Sequence, residues 1–365
     1  MSKNPRLLDS IPPFAPLLLL AACASEPASK DEGPLVVPWA ADLPRLADSI
    51  QDPRGFVPLR AHIHLHTPYS HDACDGKGWV DGVLDESCLE DLREALCRLH
   101  TDVAFYSDHP AYAAEIPWET WLFSRGDDAL LVEDGAPVAN RIRCEDGHET
   151  LFQPGIEDDL MPLGLTRHAA EPGSEAYAVY GGYDDAAIAA DRAAGAVVFV
   201  AHTEGHETEA LARLAGAGLQ GLELFNLHAM LDPDNRRLLG LDPLGWTADI
   251  APFTDPDGEA EPDLMFLGFF EEQAVIISRW DALLSAYGLS MTGVAGTDAH
   301  RNVMPWALRD GERADGYRRM MRWFSNTLLA STGDLAGARG ALEAGRLYAS
   351  FEILGVPDGF AFWYE

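Results

Sequence analysis

Short apolar runs that lead into a metal-ligand residue type recur along this chain, and stretches with helical spacing separate them. Residues 57–66 have the two-residue period of a strand and carry His62, His64 and His66. Val103-Ala104-Phe105-Tyr106 leads into Asp108 and His109. Residues 196–201 lead into His202, and residues 219–225 carry Glu223 just before Asn226. Residues 290–296 lead into Asp298 and His300. Between them, residues 85–100 place Leu89, Leu92, Leu96 and Leu99 on one helical face, and 118–131, 184–194, 207–215 and 269–287 also read as helices. Such alternation predicts an α/β fold with a parallel sheet, open or closed into a barrel. Active sites in these folds sit at the C-terminal ends of the strands, so the ligand types predict one shared site at that rim.

His62-Ile63-His64-Leu65-His66 puts three imidazoles on one strand face, with His62 expected beside the site and not as a ligand. Neutral imidazole is a common ligand of divalent metals, and same-face histidines can reach one ion. Alone, the motif reads equally well as a polar strand face. The succession of ligand types at later strand ends favours a metal site.

The 365 residues, 47% hydrophobic, suffice for one large domain. Twenty-six basic residues stand against 59 acidic ones, a net charge of -33. That excludes nucleic acid as an expected partner and favours metal cations. An anionic substrate would need local positive charge, which bound metal ions would supply. At the N-terminus, Lys3 and Arg6 precede an apolar run ending Leu20-Ala21-Ala22-Cys23, too short to span a bilayer. It resembles a bacterial lipoprotein signal at residues 1–22, with Cys23 lipidated, and residues 23–56 read as a flexible tether. The expected protein is exported and anchored to a membrane, facing the periplasm or cell exterior. Residues 57–354 form the expected domain, with 228–268 an insertion or lid. Residues 355–365 read as a last strand or the start of a further domain. Cys74, Cys88, Cys97 and Cys144 allow three disulfide pairings or buried free thiols. Cys88 and Cys97 lie nine apart, on opposite faces of one helix, and so should not pair with each other.

His64-Leu65-His66-Thr67 with Ser70, then Asp108-His109, Gly155-Ile156-Glu157, His202 and Asp298-Ala299-His300, resemble the PHP (polymerase and histidinol phosphatase) metallohydrolases in order and type. The likeness runs from about Leu59 to Phe351. It implies a distorted (β/α)7 barrel with up to three divalent ions, zinc, manganese or iron, at the C-terminal ends of the strands. His64, His66, Glu157 and Asp298 would hold one ion. Glu157 would bridge to a second, held with His168 and His202, and His71, His109 and His300 would hold the third. His206 is an alternative to His168. Asp108 would orient an imidazole, and Glu223 and Asn226 would support the rim. Asp108 and Glu157 are thus the expected catalytic carboxylates. The family usually has an acid where this chain has His62, and often a proline where it has Thr203.

The implied activity is hydrolysis of a small, phosphorylated ester by a metal-bridging hydroxide, with Arg167 and Arg301 as candidate anion clamps. Two rivals remain. One is carboxylic or carbamic ester hydrolysis, since 345–360 resembles a PHP subgroup with a carbamate-ester hydrolase. The other is a non-catalytic surface lipoprotein that binds metal or a ligand. An amidohydrolase with a carboxylated lysine is excluded, because Lys3, Lys30 and Lys77 are the only lysines and none follows a mid-barrel strand. No Gly-x-Ser-x-Gly elbow supports a serine hydrolase.

Overall fold

Seven strands close a ring in the computed structural model: Val57–Leu65 (β1), Val103–Asp108 (β2), Glu149–Ile156 (β3), Leu160–Leu163 (β4), Val197–Val200 (β5), Gly221–Asn226 (β6) and Thr292–Ala299 (β7). β1 pairs in parallel with β2, and β2 with β3. β4 runs antiparallel to both β3 and β5. β5, β6, β7 and β1 then continue in parallel and complete the circle. The expected α/β barrel is therefore present, and its distortion is the single reversed strand β4. The structure describes residues 39–356 and Phe360, except Glu272. Cys23, the expected signal and most of 355–365 lie outside the described residues.

Leu59, Ala61 and Ile63 of β1 point into the barrel with Val103, Phe105, Met161, Leu163, Val197, Phe199 and Val294, which fill it as a solid apolar core. Outside, the helix Glu86–Arg98 (α1) buries Leu89, Leu92 and Leu96, and the Asp85 carboxylate caps its first turn by accepting from the Ser87 and Cys88 amides. Further helices cover the barrel at Ser174–Tyr180 (α2), Asp185–Ala193 (α3), Thr208–Ala217 (α4), Ala274–Ser285 (α5), Tyr317–Met321 (α6) and Leu335–Glu343 (α7).

The helix expected at 118–131 is a single turn, Trp118–Trp121, followed by the hairpin Ala129–Glu133 and Ala136–Arg143, which extends the sheet from β3. Phe123 and Gly126 have positive φ, which a continuing helix does not allow. The expected helix at 269–287 shortens to α5. Part of the expected tether is docked instead of free: Leu43, Leu46 and Ile50 are buried, and the Pro44 carbonyl accepts from Arg60. Apolar residues at 43, 46 and 50 have a helical spacing that an alanine- and proline-rich context obscured.

The 228–268 insertion is fixed at its far end. Asp263, 1% exposed, accepts from Arg318 and Arg319, while Met265, Phe266 and Phe269 join the outer core. Ser325–Ala330 adds antiparallel to β1, and Leu347–Ser350 adds antiparallel to that strand. Disulfides join Cys74 to Cys88 and Cys97 to Cys144. The shorter loop, 14 residues in separation, ties the segment after β1 to α1 and contributes about 3 kcal/mol by restricting the unfolded chain.

Asp191 on α3 gives a pH prediction. It is 1% exposed and its Oδ1 has no hydrogen-bond partner, so burial pushes its carboxyl up from 3.8 to about 8. The folded state then holds a proton that the unfolded chain releases. This group's stabilising effect is full below pH 3.8 and is lost as pH rises toward 8. Asp191→Asn should therefore melt higher than the parent by several degrees at pH 8, with the gap closing toward pH 4, in thermal scans across that range.

Candidate metal centre

All parallel strands of the ring end at one rim, and five of the six deliver a predicted ligand there. β1 brings His64 and His66, β2 leads into His109, and β3 leads into Glu157. β5 is followed by His202, and β7 ends on Asp298 and His300. β4, which runs the other way, brings none. Three of these residues hold left-handed backbone, His64 (φ 60), His202 (φ 45) and Asp298 (φ 52), which side chains other than glycine rarely adopt. Such conformations gather at functional sites, where the surrounding fold imposes them.

The kink at His64 corrects the expectation of three imidazoles on one face. The β1–β7 register shifts between Ile63 and Leu65. His64 and His66 turn into the rim, while His62 stays in the outer layer, its ring nitrogens bonded to Thr101 Oγ1 at 2.9 Å and the Met321 carbonyl at 3.0 Å.

Asp298 is the hub. Its Oδ1 lies 3.2 Å from His64 Nε2, 3.1 Å from His66 Nε2 and 3.1 Å from His300 Nδ1. Glu157 spans the other side, with Oε1 2.9 Å from His202 Nε2 and Oε2 2.8 Å from His109 Nδ1. The predicted ligands His64, His66, His109, Glu157, His202, Asp298 and His300 are thus brought together. His64 Nε2, His66 Nε2, His300 Nε2, Glu157 Oε2 and Asp298 Oδ1 are buried and face their neighbours at these distances without an aligned hydrogen bond. Buried polar atoms are nearly always satisfied, so five orphaned ligand atoms at one rim fit a bound cation. Ligands about 2.1 Å from one zinc-like ion lie about 3–3.5 Å apart, the range seen around Asp298. The triads His64–His66–Glu157 and His64–His202–Asp298, and the set His66–Asp72–His109–His300, each have mutually close ligand atoms.

Burial pushes the imidazoles down, but in the metal-free cluster the neighbouring carboxylates hold His64, His109, His202 and His300 above the ordinary imidazole range, so a bound cation would have to displace their protons. Burial pushes the Glu157 carboxyl up, but the charges of His109 and His202 outweigh it and hold the group well below the carboxylate range. Burial and the neighbouring charge of His300 push His66 down to about 3, leaving a neutral imidazole able to donate a lone pair. Around the ligands, Glu223 Oε1 accepts from His64 Nδ1 at 2.6 Å, fixing the tautomer that leaves Nε2 free. The Asn226 amide donates to Glu223 Oε2 at 3.0 Å and to Asp298 Oδ2 at 3.1 Å.

Several predicted residues sit elsewhere. His168 bonds Tyr180 and the Ile116 carbonyl and stacks on Trp121, away from the cluster. His206 faces Asp159 and stacks on Tyr183. Asp108 orients no imidazole: it accepts from the Thr67 amide and hydroxyl, both at 2.6 Å, and from Trp121 Nε1, so it anchors the loop after His66. Arg167 is exposed and donates to the Ala193 carbonyl. Arg301 turns toward Asp91 at 3.4 Å. Neither arginine clamps an anion at the rim.

Two cluster residues escaped the sequence reading. Asp72 Oδ2 lies 3.2 Å from His300 Nε2 and 3.5 Å from His109 Nε2, the place expected for His71. His71 is instead about half exposed, its ring 5.0 Å from that of His109. His228 Nδ1 is 3.6 Å from Asp298 Oδ2. It follows β6 by two residues, and the strand-end rule applied there would have found it. Asp72 lies in a loop with no period to mark it. Asp72→Asn should cost one bound ion and about 10–100-fold in turnover, whereas His71→Ala should leave metal content unchanged, as metal analysis of both variants would show.

The chain matches no protein-family model and no curated protein sequence. Solved structures with a partly similar fold include a two-domain Bacteroides vulgatus protein containing a predicted PHP-like metal-dependent phosphoesterase, at 14% identity and a TM-score of 0.41, covering 83% of this chain and 67% of that one. PsfC from Pseudomonas syringae shares 11% identity at a TM-score of 0.42 over 80% of this chain and 91% of its own. A lesion-specific endonuclease from Pyrococcus furiosus shares 12% identity at a TM-score of 0.39 over 79% and 56%. At such distances the site has to be read from its own side chains.

Proposed function

We propose that this chain is a divalent-metal-dependent hydrolase of the PHP type, acting on a small ester, with a phosphoric ester as the first choice. The observation that carries the reading is the set of orphaned, buried ligand atoms around Asp298 and Glu157. His64, His66, Asp298 and Glu157 would hold one ion. Glu157 and His202 would hold a second, and Asp72, His109 and His300 a third. Bound divalent ions, whether zinc, manganese or iron, supply an acidified water and neutralise charge growing on the ester oxygens. The chain's own groups do the rest: Glu223 holds His64 and Asn226 holds Asp298 in place, and His71 and His202 edge an open cleft that admits substrate.

A second reading, carboxylic or carbamic ester hydrolysis, gains from the positions of Arg167 and Arg301, whose guanidiniums are engaged by the Ala193 carbonyl and by Asp91. Metal-loaded and chelated protein should be compared on p-nitrophenyl phosphate, bis-p-nitrophenyl phosphate and naphthyl esters. Metal-dependent phosphate-ester turnover supports the first reading. Turnover of carboxylic esters alone supports the second, and no turnover supports a non-catalytic binding protein.

Export and anchoring through Cys23 remain part of the proposal. The Cys74–Cys88 and Cys97–Cys144 disulfides support it, because such bonds persist in oxidising compartments.

A further inference from the structure

The Cys74–Cys88 disulfide lies where several parts of the metal centre meet. Asp72, two residues before Cys74, brings Oδ2 to 3.2 Å from His300 Nε2 and 3.5 Å from His109 Nε2. The Cys74 amide donates to the His300 carbonyl at 2.9 Å, and the Asp75 amide donates to the Arg301 carbonyl at 3.0 Å. The sulfurs of Cys74 and Cys88 face the Tyr317 hydroxyl at 4.0 and 3.8 Å, and that hydroxyl donates to the His66 carbonyl at 2.9 Å. One sulfur bridge thus adjoins the ligand residues that follow β1 and β7, and ties them to the first turn of α1, which carries Cys88.

Asp72 needs such a tie. Its side chain is 33% exposed, whereas Glu157 and Asp298 are buried, so packing does not fix it. Ser70 Oγ donates to its Oδ1 at 3.0 Å, but Ser70 belongs to the same loop and moves with it. Just beyond, Cys74 (φ 56) and Asp75 (φ 58) are successive left-handed residues, and neither is glycine. Such backbone persists only where its surroundings over-determine it. The ion pair from Arg313 to Asp75, at 2.7 Å, is partly exposed and adds little. We propose that Cys74 and Cys88 are positioning residues of the metal centre, whose bond holds Asp72 at the ion it would share with His109 and His300. This rests on the metal-dependent reading and deepens it. The two sulfurs hold no ion themselves and act through Asp72.

The test compares the full chain carrying Cys74→Ser/Cys88→Ser with the parent. Each is loaded with zinc, manganese and iron(II) in turn, dialysed, and read by elemental mass spectrometry. The variant should keep one ion fewer, and a titration should show that ion bound about 10–100-fold more weakly. Cys97→Ser/Cys144→Ser is the control. That bond joins the far end of α1 to the loop before β3, away from the rim, and closes a longer loop, 47 residues in separation. Its loss should lower the melting temperature of chelated protein by more, yet leave every ion in place. Adding Asp72→Asn to Cys74→Ser/Cys88→Ser should remove nothing further, because both changes act on one ion. Cys74→Ala/Cys88→Val keeps the buried site apolar and should show the same loss where the serine pair does not fold. A full complement of ions without the Cys74–Cys88 bond overturns the inference. An equal loss in the Cys97→Ser/Cys144→Ser control, or an additive loss with Asp72→Asn, does so too. A parent that keeps no ion overturns the metal-centre reading itself.

Discussion

Asp298→Asn should remove most of the metal bound at the rim and lower ester turnover at least about a thousandfold, the equivalent of losing several kcal/mol of charge stabilisation. The change keeps the side chain's shape but removes the charge that five imidazoles face: His64, His66, His202, His228 and His300. Burial alone would raise the Asp298 carboxyl, yet His64 and His300 hold it well below the carboxylate range. It is therefore an ionised ligand at neutral pH, and an amide cannot take its place. Asp108→Asn is the control. That residue is equally buried, but it binds Thr67 and Trp121 and no cluster imidazole. Its loss should reduce thermal stability while leaving metal content near that of the parent, as paired metal analysis and thermal scans would show.

Gly296→Ala should be the most damaging substitution outside the ligand set. A Cβ at this position in β7 would stand 1.9 Å from Glu223 Oε1 and 2.7 Å from His64 Cβ. Neither neighbour can yield cheaply. Glu223 is 1% exposed, and its Oε1 is already bonded to His64. The carboxylate must leave, and His64 loses the partner that fixes its tautomer. Loss of such an orienting group costs about 10–100-fold in metal affinity or activity. Overpacking adds about 1–3 kcal/mol of destabilisation. Glu223→Gln should reproduce the metal defect with a smaller fall in melting temperature. If Gly296→Ala bound metal like the parent, the role of Glu223 would be wrong.

Much of this centre was legible in the sequence because it follows one rule. A strand of apolar residues ends, and the next polar ligand type faces the rim. That rule located His64, His66, His109, His202, Asp298 and His300, while Glu157 came only from the resemblance to the PHP metallohydrolases. It misled where local backbone departed from the ideal. The left-handed His64 separated His62 from its neighbours, and no strand period could show that. Residues set by tertiary contact were also hidden. Asp72 reaches the cluster from a loop tied down by the Cys74–Cys88 disulfide, and His168 is drawn away by Trp121 and Tyr180. Arg167 and Arg301 have the right chemistry near ligand positions, but carbonyl and carboxylate partners elsewhere hold them. In the fold, alternation implied a parallel sheet, open or closed, and the family resemblance alone implied the barrel. The reversed strand β4 is only four residues long and gave no separate signal.

The most direct measurement is the metal content of the purified protein after exhaustive dialysis, read by elemental mass spectrometry for the parent and for Asp298→Asn. The account predicts two or three divalent ions per chain in the parent and loss of most of them in the variant. A parent that holds no ion after incubation with zinc, manganese or iron, or a variant that retains the full complement, would contradict it.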